Sequence, residues 1–219
     1  MVAYAQQRPT PPLTSTLIAL ILVASIAATF GDGTTYSQLA LIPRDVWRGE
    51  LWRLVTWALI EPGPFVLIAT CVAIYWCGGG LRSIWGPSRL SRFLLGIVLA
   101  SGIGTSLLAP LVPMAWHFPQ LGGLALAKAL VIAWALEFPD RPVVVYWFVV
   151  TSGRPLAHGV LGVTVLCTFF FGIAPMLPEL IACVGALFFM SKARRRWWLA
   201  FKAYRAQRKL DRHRRGQRR

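Results

Sequence analysis

The sequence predicts an all-α membrane protein: a six-span helical bundle with an amphipathic first external loop and a basic cytoplasmic C-terminal helix and tail. Three observations carry this. Of 219 residues, 56% are hydrophobic and only 14% charged, whereas soluble domains carry about 25% charged residues. The apolar residues gather into runs approaching the length of a spanning helix, about 20 residues. The cations are segregated: residues 192–219 hold thirteen Lys or Arg and one acid, Asp211, so +12 of the net +15 lies in the tail. The basic balance therefore describes a tail and not a fold. The organisation is an N-terminal cytoplasmic segment (1–12), a transmembrane domain (13–190) and a basic cytoplasmic tail (191–219). One compact bundle accounts for the length.

The first twelve residues are polar and proline-bearing, with Arg8 as their one charge. They lack the basic start and cleavage site of a signal peptide, so Leu13–Phe30 reads as a retained span. Gly31-Asp32-Gly33 ends it as a turn.

Residues 36–53 mix apolar and charged side chains. Trp47, Trp52 and Arg53 suit a headgroup layer, where a ring is half buried and a cation stays wet, and are expected to anchor this loop. The next apolar run, 54–77, is interrupted by Glu61-Pro62-Gly63-Pro64. Residues 54–60 read as a partly inserted piece and 65–77 as the span proper. A broken backbone at membrane depth is tolerable where protein or water satisfies it. Gly78-Gly79-Gly80 is expected to end this second span.

The third span is expected over 93–116, with Gly96, Ala100 and Gly104 forming a smooth face for close packing and Pro110 and Pro113 distorting its far end. The fourth is 120–140, QLGGLALAKALVIAWALEFPD, the stretch around which the others are expected to pack. Lys128 lies in its interior, and an ionisable group there faces protein or a water cavity. Residues 143–151 are apolar but too short to cross; they lie at the interface or begin the next helix. The fifth span is 158–173, Pro175 and Pro178 bracket a tight connection, and the sixth is 179–190.

Cys71, Cys77, Cys167 and Cys183 sit in apolar runs without metal-ligand spacing and read as packing residues. No cofactor is expected. Six spans place both termini on one side, and the cationic loops (Arg82, Arg89 and Arg92; Arg141 to Arg154; the tail) fall on that side. The positive-inside rule makes it the cytoplasm. The expected location is a multi-pass position in a bacterial inner membrane.

Several stretches resemble a known family. Gly49-Glu50-Leu51-Trp52-Arg53-Leu54-Val55-Thr56, then Gly79-Gly80-Leu81 with Trp85-Gly86, Arg89 and Phe93, and finally Glu137-Phe138-Pro139-Asp140-Arg141-Pro142-Val143 are similar to the rhomboid intramembrane proteases. The resemblance covers about residues 48–193 and implies a rhomboid-like six-span bundle. Rhomboids use a Ser–His dyad: the serine in a Gly-x-Ser-Gly start to the fourth span, the histidine in an Ala-His start to the sixth. By that alignment the serine position holds Leu124 and the histidine position Glu179. The oxyanion-binding positions at the second span hold Glu61, Val66 and Thr70.

Leucine offers no nucleophile, and a carboxylate does not replace an imidazole that must take and return a proton near neutral pH. Losing each oxyanion donor costs factors of about 100 or more. The resemblance therefore implies a pseudoprotease, not an enzyme. Ser101, Ser106, Ser152, His117 and His158 lack the spans or spacing for a displaced dyad.

Lys128 lies one turn beyond Leu124 on the same face. It is expected to pair with Glu61 or Glu179 across the degenerate cavity; the alternatives are snorkelling and a partner from another subunit. In the tail, Arg194, Arg195, Arg196, Trp197, Trp198 and Lys202 suit anionic lipids, at about 1 kcal/mol per cation. Nucleic acid is the less favoured partner for the same cations. The functional expectation is a non-proteolytic membrane protein that binds transmembrane segments of other integral membrane proteins. A structural or assembly subunit of a larger complex is the alternative, and an active protease with a displaced site ranks last.

Overall fold

In the computed structural model of the protein, the described residues are 12–30, 34–61, 63–141, 143–145 and 149–191. The tail positions Arg194, Arg195, Arg196, Trp197, Trp198 and Lys202 lie outside them, as do residues 1–11. Among the described residues, five helices are long and apolar enough to cross a membrane: Leu13–Phe30, Pro64–Trp85, Pro87–Leu111, Gly153–Phe171 and Ile173–Met190. The protein is thus a helical membrane protein. A shorter helix, Gly123–Glu137, lies among them as the core.

Helix α1 (Pro12–Phe30) carries no charged residue. Three short helices follow, α2 (Thr34–Leu39), α3 (Pro43–Trp47) and α4 (Arg53–Thr56), with a 3-10 turn at Trp57–Leu59. Arg53 holds this loop together. Its Nε donates to Glu50 at 2.6 Å, one Nη donates to the carbonyls of Ser37 and Ala40, and the other lies 3.7 Å from Asp45. Its side chain is only 6% exposed. This corrects the expectation that Arg53 anchors the loop to headgroups: its donors are used inside, as a buried charge requires. Trp47 and Trp52 do face outward, at 60% and 55% exposure, while their indole N–H groups donate to the carbonyls of Ser106 and Gln38.

The second span comprises α5 (Pro64–Ala73), a π turn (Ile74–Gly78) and α6 (Gly79–Trp85). Gly78-Gly79-Gly80 therefore does not end it. A Cβ at Gly80 would stand 2.7 Å from the Trp134 indole nitrogen, and one at Gly78 3.3 Å from Thr14 Cγ2. These two glycines permit close packing, and the contacts outweigh a helix penalty of about 1 kcal/mol per glycine.

Helix α7 (Pro87–Leu108) begins earlier than the sequence suggests, after Gly86 with φ +72°. Pro110 falls in the 3-10 turn Ala109–Leu111, and Pro113 opens a separate helix α8 (Pro113–His117). The small-residue face is corrected in part: Gly96 and Ala100 are exposed, and of the three only Gly104 packs closely. Close approach is made by Gly102, where a Cβ would lie 3.0 Å from the Leu54 carbonyl, and by Gly104, 3.1 Å from Ile181 Cδ1.

Helix α9 (Gly123–Glu137) buries ten of its fifteen residues, the mark of a helix surrounded by others. It packs against α5 and against the two helices that follow it, α10 (Gly153–Phe171) and α11 (Ile173–Met190). Between α9 and α10, β1 (Val143–Val145) and β2 (Val149–Thr151) form an antiparallel hairpin with Val144 opposite Val150. Valine-rich sequence favours strand, so residues 143–145 and 149–151 do not begin α10.

The turn into α11 is made by Gly172, with φ +88°, and not by the prolines, both of which lie inside α11. Pro175 sits in the first turn, where its missing N–H costs nothing. Pro178 is interior, so the carbonyl of Ala174, four residues back, lacks its helical donor. The Gln120 side chain supplies one, with Nε2 donating to that carbonyl at 2.8 Å. At the other end of the bundle Trp85, Phe93 and Phe189 form an aromatic triangle with centroids 4.8–5.7 Å apart, tying α6, α7 and α11 together.

Candidate functional site

The residues singled out by the sequence converge where α9 begins. The approach to α9 is fixed by Gln120, 2% exposed. Its backbone pairs with Leu41 in both directions, at 2.9 and 3.0 Å, and its side chain holds α11 through Ala174. One residue thus ties the loop of α2–α4, the start of α9 and the proline-bearing start of α11.

Next come Gly122 and Gly123. The Gly122 N–H donates to the Trp57 carbonyl at 3.0 Å, and a Cβ at Gly122 would overlap the Trp57 ring. Trp57 is 1% exposed and closes this end of the bundle. A Cβ at Gly123 would overlap the Glu61 carboxyl. Glycine is required at both positions by the bulk packed against them.

Glu61 lies in the break between the first and second spans, outside both. Its backbone N–H donates to Ser25 Oγ at 3.1 Å, and its carboxyl accepts from Thr70 Oγ1. Burial pushes the carboxyl up to about 7; the Thr70 hydrogen bond opposes this, and the charge of Glu179 adds to it. Val66 is half-buried in the first turns of α5.

Lys128 Nζ forms an ion pair with Glu179 Oε2. The side chains are 13% and 9% exposed, so each charge depends on the other for the solvation it has lost. Glu61 is not the lysine's partner but belongs to the same cluster through its interaction with Glu179.

On α9 only Leu124, Lys128, Val131, Leu136 and Glu137 escape full burial. Leu124, Lys128 and Val131 follow the spacing of one helix face. Gly123 and Trp134 meet Glu61 and Gly80 on the α5–α6 side, whereas Lys128 reaches α11. The stripe thus lies beside the contact with α11; α5 and α10 both pack on α9 but scarcely on each other. A narrow line of α9 is therefore only half-buried, with the ion pair at its middle.

Among the described residues, this arrangement brings together hydrogen bonds, charge and apolar surface. His117 and His158 are exposed. His158 Nδ1 lies 2.8 Å from the carbonyl of Arg154, and Ser106 Oγ donates to the carbonyl of Gly102. Among the described residues no three of His, Cys, Asp or Glu cluster as metal ligands. Trp57, Ser25 and the role of Gln120 carry no signal of their own in the sequence. Only Pro178, a proline inside an apolar run, hinted that a donor was needed.

A family model described as "Eukaryotic integral membrane protein (DUF1751)" matches residues 13–191. No curated protein matches the chain. The family description overturns the bacterial inner membrane expected from the sequence and places the protein in a eukaryotic membrane. Hydropathy and charge asymmetry follow the same rules in both settings, which is why they did not distinguish them.

Proposed function

Taking as premise that the chain belongs to this eukaryotic integral membrane protein family, we propose that it is a non-proteolytic, rhomboid-like membrane protein that binds transmembrane segments of other membrane proteins. The observation that carries the reading is the half-buried stripe of Leu124, Lys128 and Val131 on α9, which in this reading opens to the membrane along the seam between α5 and α10. A partner helix entering there meets apolar side chains and one ammonium. Lys128 has three N–H donors and gives one to Glu179, which leaves donors for a polar group on the client. Intramembrane ionisable residues commonly mark such functional contacts.

The rhomboid-like reading is supported by the positions of its degenerate residues. Leu124 at the start of α9, Glu179 near the start of α11 and the Glu61–Thr70 pair lie around one site. In this reading α9 is the sixth crossing. Its fifteen residues rise about 22 Å at 1.5 Å each, short of the hydrocarbon core of about 30 Å. Cover by other helices and the connections at its ends make up the difference. Both termini then face the cytoplasm, and the basic tail lies against anionic lipid.

Photo-crosslinkers at Leu124 and Val131, compared with one at Leu95, 52% exposed on the outer face of α7, test this proposal. Crosslinks to transmembrane segments from the first two positions alone are expected. Equal capture from Leu95 contradicts a specific seam. Cleavage of a transmembrane test substrate, lost on replacing a serine or histidine of this chain, contradicts the non-proteolytic part.

A further inference from the structure

Hydroxyls in the spanning helices have an inexpensive partner in the carbonyl one turn back. Thr29, Ser106, Thr164 and Thr168 all use it, at 2.8 Å each. Ser101 and Thr105 of α7 do not. They are 1% and 0% exposed, and neither hydroxyl bonds to any protein group. Leaving a buried hydroxyl unbonded costs about 1–3 kcal/mol, so two on one helix face need an explanation.

Their direction follows from their neighbours. Gly102 meets Leu54 on one side, and Gly104 meets Ile181 on the other. Ser101 and Thr105, one turn apart, point between those contacts into the bundle. Their depth follows from α11: Ile97 meets Gly185 and Gly104 meets Ile181, so the two hydroxyls stand alongside the stretch of α11 just beyond Glu179.

We infer that Ser101 and Thr105 together hold ordered water inside the bundle. Water matches the requirement in being both donor and acceptor, and a buried water needs two to four polar partners. One molecule bridging hydroxyls one turn apart takes both. The inference concerns the interior of α7 and is independent of client binding at the seam.

The test replaces each hydroxyl by its nearest apolar shape, Thr105→Val and Ser101→Ala, in the full-length purified protein. If water is bound, each change removes one of its anchors, and the melting temperature falls by about 2–4 °C for each kcal/mol lost. If the hydroxyls are dry, removing an unsatisfied polar group leaves the melting temperature unchanged or raises it, and the inference is overturned. High-resolution cryo-EM density gives a second reading. A peak within hydrogen-bond distance of both oxygens, lost in Thr105→Val, supports bound water; empty density in the native protein contradicts it.

Discussion

Lys128 and Glu179 stand 51 residues apart in the chain and meet as a largely buried ion pair between α9 and α11. Breaking such a pair from one side costs about 3–5 kcal/mol, because the remaining charge is left uncompensated, whereas replacing both partners by apolar residues is often neutral. Lys128→Met and Glu179→Leu are each expected to lower the thermal stability of the detergent-purified protein strongly, and the double substitution to recover most of the loss. Additive losses contradict a coupled pair.

Gln120 and Pro178 form a second coupled set. Gln120→Leu leaves the Ala174 carbonyl without a donor and is expected to cost about 1–3 kcal/mol. Pro178→Ala restores a backbone N–H to the same carbonyl. In that background Gln120→Leu should cost clearly less, which a double-mutant cycle on thermal unfolding reads directly. An unchanged cost contradicts the link.

The coarse fold was legible in the sequence because hydropathy reports length and burial. Leu13–Phe30 and the core position of the stretch carrying Lys128 follow from composition alone. Two of the departures share one cause: whether glycine or proline ends a helix depends on neighbours that a sequence does not show. Gly78 and Gly80 lie inside a helix because Thr14 and Trp134 press against them, and Pro178 lies inside another because Gln120 supplies its missing donor. Arg53 looked like a headgroup anchor because its partners Ser37 and Ala40 act through backbone carbonyls, which composition does not reveal. At the site, Lys128 stood out as a charge in an apolar run. Trp57 did not, since a buried tryptophan and an interfacial one look alike in sequence.

Gly123 and Glu61 provide a packing prediction. Gly123→Ala drives a methyl into the Glu61 carboxyl and is expected to cost about 1–3 kcal/mol, as overpacking does. In a Glu61→Ala background the obstacle is gone and the cost of Gly123→Ala should shrink. Equal costs in both backgrounds, measured by thermal unfolding, contradict the contact.

Glu61 also predicts a pH dependence. Its carboxyl titrates at about 7 in the folded protein against an ordinary value of 4.5. Between these values the folded state holds a proton that the unfolded chain releases, so stability falls as pH rises through the window. Thr70, Glu179 and, through Glu179, Lys128 surround the group. Glu61→Gln removes only its titration. Melting temperatures recorded from about pH 4.5 to 7 should decline more steeply for the native protein than for Glu61→Gln; parallel curves contradict the assignment.

The most direct test of the central claim is mild-detergent purification from a eukaryotic membrane followed by quantitative mass spectrometry, with native protein beside a variant carrying tryptophan at Leu124 and Val131 to fill the seam. Client binding predicts a varied, substoichiometric set of integral membrane proteins that is depleted in the filled-seam variant, provided both proteins melt at similar temperatures. One fixed set of partners at constant stoichiometry, retained by the variant, would contradict client binding and identify the protein as a subunit of a stable membrane complex.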